Sequence, residues 1–284
     1  MQRTDSNFCD DYQTSEGVIP QASFLILPSS FCLSPMLKPF LTANWRYLAM
    51  LNFAVDPKIL APHVPAGTEL DFHHDKTYLS LLGFRFYHTI VCGLPIPRHR
   101  NFEEVNLRFY VRKQPVRLAP DTWRRGVVFI RELVPKIAIA VTARVFYGEP
   151  YLALPMRSAV EDKDGIVRAK YEWRRGNKWE HLAMEAHGEA KACALGSHEQ
   201  FITEHYWGYT ARGERTSEYR VEHSRWKIWP ADTFELKADI ATLYGEKFVE
   251  PLAAKPASAF IADGSYVEVQ RRTTDPEPDL GFTA

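Results

Sequence analysis

Apolar and polar residues alternate with a period of two through most of this chain, and that period limits its fold more than any other feature. In Asn106-Leu107-Arg108-Phe109-Tyr110-Val111-Arg112, the apolar Leu107, Phe109 and Val111 fall on one face and Asn106, Arg108 and Tyr110 on the other. Successive side chains of a strand point to opposite sides, so this spacing predicts a strand; a helix would repeat its apolar residues every three or four positions. Residues 78–87 alternate likewise, and residues 126–130 and 137–145 read as well-buried strands. Asp164-Gly165 and Gly176-Asn177 are two-residue hairpin signals flanking residues 166–174. The stretch that follows, 178–190, sets Leu182, Met184, Ala186 and Ala190 against Glu185, His187 and Glu189. Residues 219–229 and 265–270 complete the strands.

Helix signals are few. Asp56-Pro57 is a cap followed by proline at the first helical position. Ser197-x-x-Gln200 has the capping-box pattern. A third helix is expected over 232–244, where Phe234, Leu236, Ile240 and Leu243 share a face. Many strands at hairpin spacing with few helices imply a mainly β chain forming a mostly antiparallel barrel or sandwich.

Residues 1–35 carry no period and are rich in Ser, Asp, Gln and Pro. Asp5, Asp10, Asp11 and Glu16 precede the short apolar run 24–27, unlike the basic start of a signal peptide. The segment is expected to be disordered or loosely attached, and Met36 is a candidate start codon because patterned sequence begins directly after it. One domain is expected over 36–272, followed by a tail over 273–284.

Composition narrows the function. The 35 Lys and Arg balance 35 Asp and Glu, which argues against a dedicated polyanion binder. An aromatic content of 13% excludes a disordered chain, and no run approaches the ~18 apolar residues of a membrane span. The cysteines, Cys9, Cys32, Cys92 and Cys193, lack metal or redox spacing. Cys92 and Cys193 are expected to be buried small hydrophobes, and a reducing, cytoplasmic compartment follows. The chain has no Gly-x-Ser-x-Gly elbow, phosphate-binding loop, dinucleotide fingerprint or His-Glu-x-x-His pair, so no cofactor is expected. No metal is expected either. His73-His74-Asp75 is the densest histidine cluster, but neighbours on a strand face opposite ways. His205 and His223 read as structural, half-buried histidines.

Two constellations carry function. Arginine is dense from Arg98 to Arg131, which permits a basic surface that binds nucleic acid; alternation makes Arg112, Lys113, Arg117, Arg124 and Arg125 equally the solvated side of strands, and that reading is favoured. The other constellation is Glu104, Asn106, Arg108 and Tyr110 on one strand face. Turned into a barrel, that face makes a polar pocket for an anionic small molecule; turned outward, it is a surface ladder.

Residues 102–112 resemble a signature of the YqjF-like family of uncharacterised conserved proteins, a domain of unknown function in the acetoacetate decarboxylase-like superfamily. So do residues 143–151, with Gly148-Glu149-Pro150-Tyr151, residues 201–210, and Val221-Glu222-His223-Ser224-Arg225-Trp226. The segments 56–65 and 262–265 also fit, so the resemblance spans about residues 40–270 in order. It implies a large, mostly antiparallel, cone-like β-barrel with a few short flanking helices. It implies no reaction. The decarboxylase uses a Schiff-base lysine beside a second lysine after a Gly-x-Pro turn. Here Tyr151 and Leu152 follow that turn, and the nearest lysines are Lys136 and Lys163. Glu104 matches the decarboxylase's pocket glutamate. The expectation is therefore a small-molecule-binding barrel, or an enzyme of unspecified reaction other than Schiff-base decarboxylation, with Glu104, Asn106, Arg108 and Tyr151 in its pocket. Glu104 would then be the acid or base and Arg108 the anion clamp.

Overall fold

The computed structural model describes residues 38–114, 123–137 and 148–274. In chain order its strands are β1 (Leu41–Val55), β2 (Glu69–Leu70), β3 (Thr77–Val91), β4 (Phe102–Lys113), β5 (Arg124–Val134), β6 (Tyr151–Ala153), β7 (Met156–Lys163) and β8 (Ile166–Arg175). They continue with β9 (Lys178–His187), β10 (Lys191–Ala192), β11 (Trp207–Arg212), β12 (Arg215–His223), β13 (Lys227–Pro230), β14 (Thr233–Lys237), β15 (Ser258–Val269) and β16 (Thr273–Thr274). Pairing runs β15–β1–β3–β4–β5–β11–β12 and returns to β15, where Val221 faces Val269. The expected barrel is thus a closed ring of strands. It is antiparallel except where β5 meets β11 and β6 in parallel. A separate sheet, β14–β9–β8–β7, packs outside. Its first tight turn has Asp164 at φ 54° and Gly165 at φ 74°, the left-handed pair that a two-residue hairpin needs.

The period-two pattern places two cores on the two sides of the barrel wall. Val105, Leu107, Phe109 and Val111 of β4 pack outward with Tyr171, Trp173 and Leu182 of the outer sheet. Tyr110 points inward with Phe84, Phe86 and Phe102. Full burial of one such side chain is worth about 1.5–3 kcal/mol. Parity switches inside β1, where the register slips between Arg46 and Ala49 and Tyr47 adopts φ 54°. Ala43 faces the interior before this bulge, Leu48 and Met50 after it. The outer sheet seals the spot: the Tyr171 hydroxyl donates to the Tyr47 carbonyl at 2.6 Å. The ring of Tyr171 also lies over Gly83, where a Cβ would come within 2.6 Å of it.

Helices are short, as expected. Asp56 caps Pro57–Leu60 through the Lys58 amide, and Ser197 caps His198–Thr203 through the Gln200 amide. Other expectations are corrected. Residues 219–229 are two strands, β12 and β13, interrupted at 224–226. Most of 232–244 is not helical: Thr233–Lys237 is β14, paired with β9, and only Ile240–Tyr244 is helix. Thr-Phe-Glu-Leu-Lys alternates as well as it coils, and the open edge of β9 decides the matter. Cys92 is exposed, at a positive-φ turn, and Cys193 half-buried. Ile137 is exposed, and the rest of the strand expected over 137–145 lies outside the described residues. So does the 1–35 segment, while Thr273 and Thr274 of the expected tail pair with β12. No helix among the described residues is long and apolar enough to cross a membrane.

Candidate ligand-binding site

The even-numbered face of β4 lines the barrel interior. Glu104, Asn106 and Arg108 are all buried there, and they border a cavity of about 330 Å³. Its walls are largely aromatic, including Trp45, Phe84, Phe86, Phe129 and Trp226. Tyr151 enters from β6 and Leu152, the next residue, packs against the outer core. The four residues singled out from sequence thus border one cavity, and the surface-ladder alternative for this face is overturned.

Two further glutamates join them. Glu132 of β5 sits opposite Asn106 and beside Tyr151 in the sheet, and Glu149 precedes β6; both line the cavity and are buried. Asn106 Nδ2 donates to Glu104 Oε1 at 2.9 Å, and the Tyr151 hydroxyl to Oε2 at 3.2 Å. Glu149 Oε1 accepts from Thr210 at 2.8 Å and from Tyr219 at 3.0 Å. Tyr219 reaches it because its cross-strand partner is Gly208, whose Cβ would occupy the space of the phenol ring. Burial pushes the carboxyls of Glu104 and Glu149 up to about 7. Burial, then the charges of Glu149 and Glu104, hold Glu132 well above the ordinary range. Isolated buried charges cost several kcal/mol, so such a cluster holds its protons to higher pH than exposed carboxyls do.

Arg108 is the cationic counterpart. Its Nε is buried without a hydrogen-bond partner, and the side chain makes no ion pair among the described residues. Its guanidinium carbon lies 5.8 Å from the centroid of the Tyr110 ring. Glu104 lies four residues along the strand, roughly 13 Å in an extended chain; the charge of Arg108 still favours the ionised forms of Glu104 and Glu132, but burial outweighs it. No lysine lines the cavity.

His205 and His223, read from sequence as structural, also line the cavity. His205 Nε2 lies 3.1 Å from Asp71 Oδ2. His223 Nδ1 lies 2.8 Å from the Ser224 carbonyl, and its ring stacks on Trp226 at 4.2 Å. Burial lowers both imidazoles to about 4. Among the described residues no three His, Cys, Asp or Glu side chains group as metal ligands.

The arginine-rich window does not form a free basic stripe. Arg112 pairs with Glu69 at 2.6 Å, Lys113 and Arg124 with Glu218 at 2.8 and 2.9 Å, and Arg125 with Asp71 at 2.6 Å. Arg112 also covers Trp123, and Arg124 covers Trp207. Arg117 lies outside the described residues.

Solved structures share this architecture. The acetoacetate decarboxylase of Legionella pneumophila subsp. pneumophila str. Philadelphia 1 matches with TM-score 0.56 and 12% identity, covering 89% of this chain and 93% of that one. The enduracididine biosynthesis enzyme MppR, complexed with pyruvate, matches with TM-score 0.58 and 14% identity, covering 85% and 93%. An acetoacetate decarboxylase-like enzyme from Sphingomonas wittichii RW1 gives TM-score 0.55 at 14% identity, covering 84% and 94%. The protein therefore has the acetoacetate decarboxylase-like fold. Within that class, the profile of DUF2071, "Uncharacterized conserved protein (COG2071)", matches residues 42–266, and the chain belongs to this family. No curated protein matches it in sequence.

Proposed function

We propose that the barrel binds a small molecule with an apolar body and a carboxylate, the carboxylate pairing with Arg108 and the body lying against the aromatic walls. One observation carries this reading: a buried guanidinium that makes no ion pair among the described residues, beside an aromatic-walled cavity. A guanidinium in a low-dielectric site is stable only with a counter-charge, and its fork matches a carboxylate in geometry. The complex of MppR with pyruvate supports the same ligand class, because pyruvate is a carboxylate. The cluster of Glu104, Glu132, Glu149 and Tyr151 supplies acid and base groups beside the ligand. Carboxyls near 7 suit proton transfer at neutral pH, which makes Glu104 the first candidate for an acid or base. Imine chemistry receives no support, since among the described residues no lysine lines the cavity. A nucleic-acid role is not favoured, because Arg112, Lys113, Arg124 and Arg125 of the arginine-rich window pair with acidic side chains.

The test compares 3-phenylpropionate with 3-phenylpropionamide in thermal unfolding of the wild type and of Arg108→Met. A ligand that binds only the folded state raises its stability. The acid is expected to raise the melting temperature of the wild type alone, and the amide of neither protein. Equal effects of acid and amide, or an undiminished effect in Arg108→Met, would overturn the reading.

A further inference from the structure

His205 follows the helix His198–Thr203 and borders the same cavity, with its side chain 1% exposed. Its Nε2 meets Asp71 Oδ2 at 3.1 Å, and that same oxygen accepts from Arg125 Nε at 2.6 Å. Burial opposes ionisation of Asp71, but the bond from His205 and the charge of Arg125 outweigh it, and its pKa is lowered. Asp71 is therefore a carboxylate, which only accepts hydrogen bonds, so the imidazole proton sits on Nε2. The imidazole is boxed by Tyr110, with ring centroids 4.6 Å apart, and by Phe201 at 5.1 Å. Burial and the charges of Arg125 and Arg108 oppose a second proton. Nδ1 is then a bare acceptor, and it is buried with no partner among the described residues.

A buried acceptor without a donor is costly, and native proteins rarely leave one. The site around it has a definite chemistry. The imidazole feels two guanidiniums, Arg108 and Arg125, whose charge disfavours an ammonium donor. A neutral O–H is the donor that suits Nδ1 best. Asp71 and Arg125 act as positioning residues, because they fix the tautomer and hold the ring.

We infer that Nδ1 of His205 is a second recognition point in the cavity and accepts a hydrogen bond from a ligand hydroxyl, so that the ligand is a hydroxylated carboxylate. This rests on the carboxylate reading above and adds to it the identity of a second contact. The arrangement resembles in logic the aspartate that orients a catalytic histidine, where the carboxylate sets which nitrogen is left bare.

The experiment titrates 3-phenyllactate, 3-(4-hydroxyphenyl)propionate and their shared parent 3-phenylpropionate calorimetrically into the wild type and His205→Phe. At least one hydroxylated acid is expected to bind the wild type about tenfold more tightly than the parent, the worth of roughly one good hydrogen bond. In His205→Phe that preference is expected to vanish while the parent still binds. Nitrogen NMR of the unliganded wild type provides a readout that needs no variant: His205 is expected to be neutral with its proton on Nε2. Equal binding of the three acids by the wild type overturns the inference and leaves the carboxylate reading standing. A preference that persists in His205→Phe, or a proton found on Nδ1, does the same. If none of the acids binds the wild type, the carboxylate reading fails and the inference falls with it.

Discussion

Tyr151 and Glu104 stand 47 residues apart in sequence and meet inside the barrel, the phenol donating to Oε2 at 3.2 Å. The contact ties β6 to β4 across the intervening β5. It also gives Tyr151 a use in the cavity, as a donor to a carboxyl. Tyr151→Phe removes that donor and is expected to destabilise the protein by about 1–3 kcal/mol. Because the bond favours the charged form of Glu104, its pKa is expected to rise further above 7. Denaturant unfolding and carbon NMR titration of the glutamate carboxyls check both. An unchanged or lower Glu104 pKa would deny the contact a role.

Stability should depend on pH in a direction that burial sets. Glu104 and Glu149, raised to about 7, stabilise the fold fully below the ordinary carboxyl value, and this contribution is lost as pH rises through 7. His205 and His223, lowered to about 4, contribute stability above the ordinary imidazole value of 6.5, and lose it as pH falls toward 4. The two effects oppose each other at mildly acidic pH. Of these four groups only the carboxyls still change charge above 6.5, so the melting temperature is expected to fall from about pH 6.5 to about pH 8. Glu104→Gln is expected to flatten that fall. A melting temperature that climbs over this interval would contradict the protonated cluster.

Gly208→Ala tests how the sheet delivers Tyr219 to Glu149. The added Cβ would occupy the place of the phenol ring, so the ring must move and its bond to Glu149 must break. A loss of about 1–3 kcal/mol is expected from the overpacking. Tyr219→Phe removes only the hydroxyl and should cost less. If Gly208→Ala is as stable as the wild type, the close approach does not constrain this strand pair.

Local pattern carried much of this architecture. The alternation in β4 was enough to place Glu104, Asn106 and Arg108 on one face, because no bulge interrupts that strand. Glu132 was not legible for the opposite reason. The β4–β5 register shifts between Leu107 and Arg108, and Ile130 is the extra residue on β5. Val127 and Phe129 line the cavity before it and Glu132 after it, so simple parity puts Glu132 on the wrong side. Glu149 carried a usable signal, since it lies two residues before Tyr151 and shares its parity. The role of His205 depends on Asp71, 134 residues away, and no local pattern reports such a pair. Thr233–Lys237 reads as helix from its sequence because its strand partner, β9, lies far back in the chain.

Imine formation is expected to be absent. Every lysine of the chain lies in the described residues, and none lines the cavity. Incubation with acetoacetate and borohydride, followed by mass spectrometry, should give no added mass. An adduct on Lys136, Lys163 or another lysine, together with release of carbon dioxide, would restore the decarboxylase chemistry.

The claim that Arg108 receives a carboxylate inside the barrel is tested most directly by a crystal structure of the protein with 3-phenylpropionate. The account expects the carboxylate within hydrogen-bonding distance of the Arg108 guanidinium, and the phenyl ring among Trp45, Phe84 and Trp226. Ligand density only on the barrel exterior, with Arg108 facing water alone, would contradict it.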